Sequence, residues 1–174
     1  IKVGGTTQRL VLSVDPHIQY TIETKLKEAV DKYQAHFGTA IVMEPATGRI
    51  LALAGFPNFN PNEYAKVPDV SLFTDKAISG QFELGSVFKP VTMAAGLNEK
   101  VITPDTTYTD TEELKMGQRT IKNWDLKVHG VNTMTQVLEH SLNTGVVFVE
   151  QKIPKDVFRG YIQQFGFGEK TGID

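Results

Sequence analysis

Ile18, Ile22, Leu26, Ala29, Val30 and Tyr33 recur at helical spacing, which predicts an amphipathic helix from residue 16 to about 35. Asp15 stands where an N-cap is expected and Pro16 at the first helical position. Before it, residues 8–14 alternate enough to read as a short extended lead-in. The pattern then changes to β-prone runs: residues 38–44, turn residues Pro45-Ala46-Thr47-Gly48, and a second run over 49–54. Together they predict a hairpin. Both runs are too apolar for free exposure, so helices should cover the sheet, with the helix at 16–35 over one face. Residues 55–70 hold too many Pro and Asn for regular structure and read as a loop packed down by Phe56 and Phe59.

A short helix is expected around 75–79. A longer one should run from Ser86 to about Asn98, where Val87, Val91, Met93, Ala94, Ala95 and Leu97 leave almost no polar face; such a helix is buried. Pro90 fits only the first turn of that helix, which places its start close to Ser86. Residues 103–121 read as a small irregular β region turning at Met116-Gly117-Gln118. Two loops follow, with Trp124 as a packing anchor. Thr133 and Gln136 have the form of a capping box and open a helix to about Ser141. A second helix should span 144–152 after the junction Ser141-Leu142-Asn143. Pro154 ends it, and Asp156 is read as the cap of a last helix, which closes at Phe165-Gly166-Phe167-Gly168.

Composition narrows the class without choosing a function. The chain has 174 residues, 40% hydrophobic and 22% charged, the balance of a folded domain and not of a disordered chain. A net charge of −2 gives no reason to expect a nucleic-acid partner. The four histidines are scattered and cysteine is absent, so no metal cluster of usual spacing and no cofactor is expected. No apolar run approaches the ~20 residues of a membrane span.

The candidate chemistry lies at Ser86 and Lys89, three residues apart at a predicted helix start. Residues i and i+3 share a helix face, so the two side chains are expected to meet. A desolvated lysine can take a serine's proton, and a buried helix would desolvate Lys89. Free N–H groups at the helix start suit a developing oxyanion. Taken alone, this spacing also describes a capped helix with a surface lysine, and Ser141 and Asn143 at a helix junction also describe capping residues. Together they permit more: a second hydroxyl near Lys89 could relay a proton, and an amide could hold both the lysine and a peptide.

The segments Glu83-Leu84-Gly85-Ser86-Val87-Phe88-Lys89-Pro90-Val91-Thr92 and Glu139-His140-Ser141-Leu142-Asn143-Thr144-Gly145 resemble the S-x-x-K and S-x-N motifs of penicillin-binding proteins, in particular the class B, cell-wall-synthesis type. The hairpin and the Asp15-Pro16 helix resemble the start of the same transpeptidase domain, so the likeness runs from about residue 7 to 174. It implies an α+β fold, the α/β sandwich of penicillin-binding proteins and β-lactamases, in which this chain supplies a helical lobe and the first hairpin of an antiparallel sheet. By this resemblance Ser86 is the acylated nucleophile, Lys89 its base, Ser141 a proton relay and Asn143 the substrate-positioning amide. The reaction is D,D-transpeptidation of peptidoglycan stem peptides, with β-lactams acylating the same serine. The implied location is the extracytoplasmic face of a bacterial cell membrane, among other cell-wall synthesis proteins.

The chain departs from that family's pattern in two places. Leu84 stands where Pro is frequent. Lys170-Thr171-Gly172 matches the letters of the third motif, but its setting after Phe165-Gly166-Phe167-Gly168-Glu169 resembles the structural loop that follows S-x-N. On this reading residues 1–174 are part of one transpeptidase domain, with 1–6 as a flexible lead-in. The remaining strands belong to a missing C-terminal part, which the working enzyme needs, and the isolated chain is poorly active. The alternatives are a non-catalytic penicillin-recognising sensor or wall-assembly module, and a serine β-lactamase, for which no deacylating base is evident.

Overall fold

The computed structural model describes residues 2–3, 6–7, 11–111 and 113–172. The chain forms two compact units, residues 1–82 and 83–174. In the first, Lys2–Val3 (β1) pairs antiparallel with Thr6–Thr7 (β2). The rest of the flexible lead-in expected over 1–6 and the start of the extended stretch, residues 8–10, lie outside the described residues. Residues 11–14 join no strand. The predicted helix is α1, Pro16–Tyr33, and its cap is as expected: Asp15 accepts from the backbone N–H groups of His17 and Ile18. These bonds hold the Asp15 carboxyl below the usual carboxylate range. Tyr33, counted with the apolar stripe, is exposed beside the left-handed C-cap Gln34.

The hairpin is Gly38–Met43 (β3) against Ile50–Phe56 (β4), with a bulge at Val42/Met43. Helix α1 covers one face, as the apolar content of the strands required. Leu26 and Val30 crowd the Cα of Gly38, and the Gln19 amide accepts from Leu53 N and donates to Leu53 O. The loop expected over 55–70 is more ordered than its Pro and Asn content implied. Asn60 and Asp69 each accept from a backbone N–H two residues on, starting 3-10 turns at Pro61–Lys66 and Val70–Phe73. Phe59 does pack the loop, edge-on to Phe73. Asp75 caps the short helix α2, Lys76–Ser79.

The second unit opens with a 3-10 turn, Gly85–Phe88, leading into α3, Lys89–Asn98. Ser86 therefore sits in the turn before the α-helix proper. Gly85 has φ +59°, a conformation costly to any residue with a Cβ. Helix α3 buries Val91, Thr92, Met93, Ala95 and Gly96, whereas Val87 and Leu97 are exposed. Then come Thr107–Thr109 (β5), the hairpin Glu113–Met116 (β6) and Arg119–Lys122 (β7) turning at Gly117-Gln118, and Val131–Thr133 (β8), which pairs with β5. Thr133 and Gln136 close the expected capping box at α4, Met134–Glu139. Helices α5, Asn143–Glu150, and α6, Lys155–Gln164, complete the unit. Asp156 is not the cap of α6. Pro154 takes that position, and Asp156 lies in the first turn, where a negative charge suits the helix dipole.

The core of this unit joins Met93 and Ala95 of α3 to Tyr108, Met134, Val137, Leu142, Val149 and Ile153. Side chains press on the backbone at Gly145, where a Cβ would lie 2.5 Å from Val137 Cγ2 and 2.9 Å from Tyr108 Cζ. Gly145→Ala is expected to destabilise by about 1–3 kcal/mol, the range for overpacking, read as a lowered urea midpoint with an unchanged slope. An unchanged midpoint would show that α4 and α5 separate without cost.

Candidate active site

Lys89 Nζ is the centre of the site. Its residue is only 8% exposed, on a helix that also buries Val91, Thr92, Met93, Ala95 and Gly96. Burial lowers the Lys89 pKa from the ordinary lysine value, since desolvation penalises the ammonium. Nζ donates to two atoms of one residue: Ser141 O at 2.6 Å and Ser141 Oγ at 2.9 Å. Ser141 Oγ donates in turn to Ser86 Oγ at 3.0 Å. The sharing of a helix face by Ser86 and Lys89 predicts a direct meeting. Instead the serine hydroxyl reaches the lysine through Ser141. Ser86 is exposed at the end of this chain and Lys89 buried at its root.

The junction between α4 and α5 makes this possible. Ser141 has φ +55°, a left-handed conformation that a non-glycine residue holds only when its surroundings over-determine it. That backbone aims the Ser141 carbonyl and hydroxyl at the same amine. Leu142, fully buried in the core, anchors the turn from within. Asn143 begins α5, and its Nδ2 donates to Lys122 O of β7 at 2.8 Å. The amide thus holds the neighbouring hairpin and not the lysine. A cavity of about 480 Å³ opens beside Ser86, Lys89 and Asn143, with Phe88, Ile121, Val146 and Val147 as its apolar side.

Two further residues were not singled out correctly from the sequence. Trp124 is 73% exposed and is no packing anchor; its indole N–H donates to His140 O at 3.3 Å, next to Ser141. Asn123, beside it, is buried and bonds to the start of α5. Its only signal in the sequence is an amide in a short loop, which many surface loops share. Lys170, Thr171 and Gly172 lie in irregular backbone beyond α6. Phe167 in the preceding turn stacks edge-on against Phe88, 5.2 Å between centroids, and Gly166 and Gly168 take φ +85° and +88° to bring it there.

The turn before α3, α3 itself and the α4–α5 junction thus bring two serines and a lysine into one hydrogen-bonded chain. In comparison with known proteins, the penicillin binding protein transpeptidase domain matches residues 38–174. The chain belongs to this family. It is 33% identical to stage V sporulation protein D of Bacillus subtilis, over 94% of this chain and 25% of that protein. To the peptidoglycan D,D-transpeptidase FtsI of Buchnera aphidicola it is also 33% identical, over 94% of this chain and 28% of the relative. The chain thus spans about a quarter of the length of these curated relatives. Among solved structures it superposes on a peptidoglycan glycosyltransferase from Burkholderia ambifaria with a TM-score of 0.80 at 25% identity, covering 94% of this chain and 47% of that one. The transpeptidase domain of penicillin-binding protein 3 from Burkholderia pseudomallei gives 0.77 at 25% identity, over 94% and 45%. The mixed helix-and-strand fold expected from the motifs is the fold observed.

Proposed function

We propose that Ser86, Lys89, Ser141 and Asn143 carry the acyl-transfer chemistry of a peptidoglycan D,D-transpeptidase. The observation that supports this most directly is the hydrogen-bonded sequence Lys89 Nζ–Ser141 Oγ–Ser86 Oγ, rooted in a desolvated amine. A neutral lysine has two N–H donors and one lone pair. With one donor on Ser141 O, the lone pair can face the Ser141 hydroxyl. Hydroxyl hydrogens rotate freely, so the chain can run either way. Ser86 passes its proton to Ser141 Oγ, and Ser141 passes its own to Lys89. Ser86 Oγ then bonds to the penultimate D-Ala carbonyl carbon of a stem peptide. Collapse breaks the peptide bond, and the leaving D-Ala amine receives a proton back along the same path. An amine of a second stem peptide attacks the ester and releases Ser86. Asn143 spends one amide hydrogen on Lys122 O; its other hydrogen and its Oδ1 suit a peptide backbone in the cavity.

β-Lactams, which present a strained amide in place of D-Ala-D-Ala, acylate the same oxygen on this reading. The names of the relatives as D,D-transpeptidases support it, and the same reading puts the protein at the outer face of a bacterial membrane among other wall-synthesis proteins. The test is mass spectrometry of the full-length protein after incubation with a labelled penicillin. One adduct is expected, on the peptide carrying Ser86. An adduct on any other residue, or none, would overturn the assignment. Release of the penicillin within minutes would favour β-lactamase activity, and acylation without cross-linking of stem peptides would favour a sensor.

A further inference from the structure

The turn that carries Ser141 and Asn143 is held from outside. Leu142, at the N-cap of α5, has no side chain able to accept a hydrogen bond. The N–H groups of Asn143 and Thr144 donate instead to Asn123 Oδ1, at 2.9 and 3.3 Å, from a loop about twenty residues earlier. Asn123 is 1% exposed. The N–H groups of α5 need the oxygen end of this buried amide, and Asp110 holds its nitrogen end away from them. A carboxylate only accepts, so Asn123 must turn Nδ2 to Asp110 Oδ2, 2.7 Å away, and Oδ1 to α5. Asp110, itself buried, is fixed by Thr144 Oγ1 at 2.8 Å and by His129 N at 2.9 Å. Among the described residues no buried side-chain polar atom is left without a partner.

We propose that Asn123, oriented by Asp110, is a positioning residue for acyl transfer at Ser86. This rests on the transpeptidase reading given above. Asn123 acts by fixing the backbone just after Ser141, so that Ser141 keeps its left-handed conformation and its hydroxyl stays within reach of both Lys89 and Ser86. Those two distances, 2.9 and 3.0 Å, leave little slack before the hydrogen bonds fail. The same bonds start α5 with the Asn143 side chain toward β7.

The test follows penicillin acylation in the full-length protein, separated into initial binding and the rate of adduct formation. Thermal midpoint and amide hydrogen exchange at Asn143 and Thr144 are measured alongside. Asn123→Ala is expected to slow adduct formation about 100-fold, the cost of a displacement near 1 Å, while initial binding changes little. Exchange at Asn143 and Thr144 should accelerate. Asn123→Asp keeps the size of the side chain, so a packing role alone predicts near-normal acylation. Positioning predicts severe loss, because two carboxylates then face each other. Adding Asp110→Asn restores a donor toward position 123 but sets it against His129 N, which shares Asp110 Oδ2, so the double variant should acylate faster than Asn123→Asp and more slowly than the parent. If the single variants do not fold, a double variant that folds and acylates supports the proposal, and one that folds without acylating overturns it. Asn123→Ala acylating at the parental rate, or a double variant no faster than a folded Asn123→Asp, would overturn the proposal. Absence of any Ser86 adduct in the parent protein would fell the transpeptidase reading instead. In that case unchanged amide exchange in Asn123→Ala would show separately that Asn123 does not hold the turn.

Discussion

Lys89→Met is expected to slow penicillin acylation by about 10³–10⁴-fold, the upper part of the range for a positioned proton acceptor, without lowering stability. Methionine nearly matches the lysine stem in length and carries no charge to desolvate. The buried amine is costly to the fold while it is charged: burial lowers its pKa below the ordinary 10.5. The unfolded chain therefore binds this proton more tightly than the native one, and stability rises with pH between the two pKa values. The deficit is complete below the folded pKa and vanishes as pH climbs to the unfolded value. Lys89→Met should remove that slope and leave the urea midpoint at neutral pH equal or higher. Acylation should show the same titration from the other side. The base must be neutral, so the parental rate should climb with pH through the folded Lys89 pKa, and the variant should lack that limb. A variant that acylates normally, or that retains the limb, would mean another group takes the Ser86 proton.

Elements specified by neighbours in the chain were legible from the sequence. Asp15 and Pro16 start α1, and Thr133 with Gln136 starts α4, through bonds that span three residues. The hairpin at residues 38–56 was legible because its turn residues and its apolar strands agree. The four candidate residues were legible too, as members of ordered motifs. Their connection was not. Helix geometry places Ser86 and Lys89 on one face, but the lysine stem is long, and Ser141 offers its amine two acceptors while Ser86 offers one exposed hydroxyl. Position along one helix could not disclose an acceptor 52 residues away. Trp124 failed for a related reason. Large aromatic residues are usually buried, yet this one binds a carbonyl through its N–H and leaves its ring exposed. Asn123 and Asp110 carry the same lesson into the core. A polar side chain is buried only where it finds partners, and those partners come from loops and the start of α5, spread over 34 residues.

Ser141→Ala and Ser141→Gly should both slow acylation by about 100-fold or more, since each removes the hydroxyl between Lys89 and Ser86, yet they should differ in stability. The left-handed backbone at Ser141, φ +55°, costs a residue with a Cβ about 1–2 kcal/mol relative to the right-handed alternative. Glycine carries no such penalty, although its freer unfolded chain takes back part of the gain. Ser141→Gly is therefore expected to unfold at a higher urea concentration than Ser141→Ala. Both variants keep the backbone carbonyl that accepts from Lys89 at 2.6 Å, so the amine retains a partner and the core around Leu142 is undisturbed. This pair separates the two things Ser141 does. If the hydroxyl is the relay, the rates fall together while the stabilities part. If the strained backbone alone matters, the glycine variant should acylate well ahead of alanine, and a direct transfer from Ser86 to Lys89 would replace the route through Ser141.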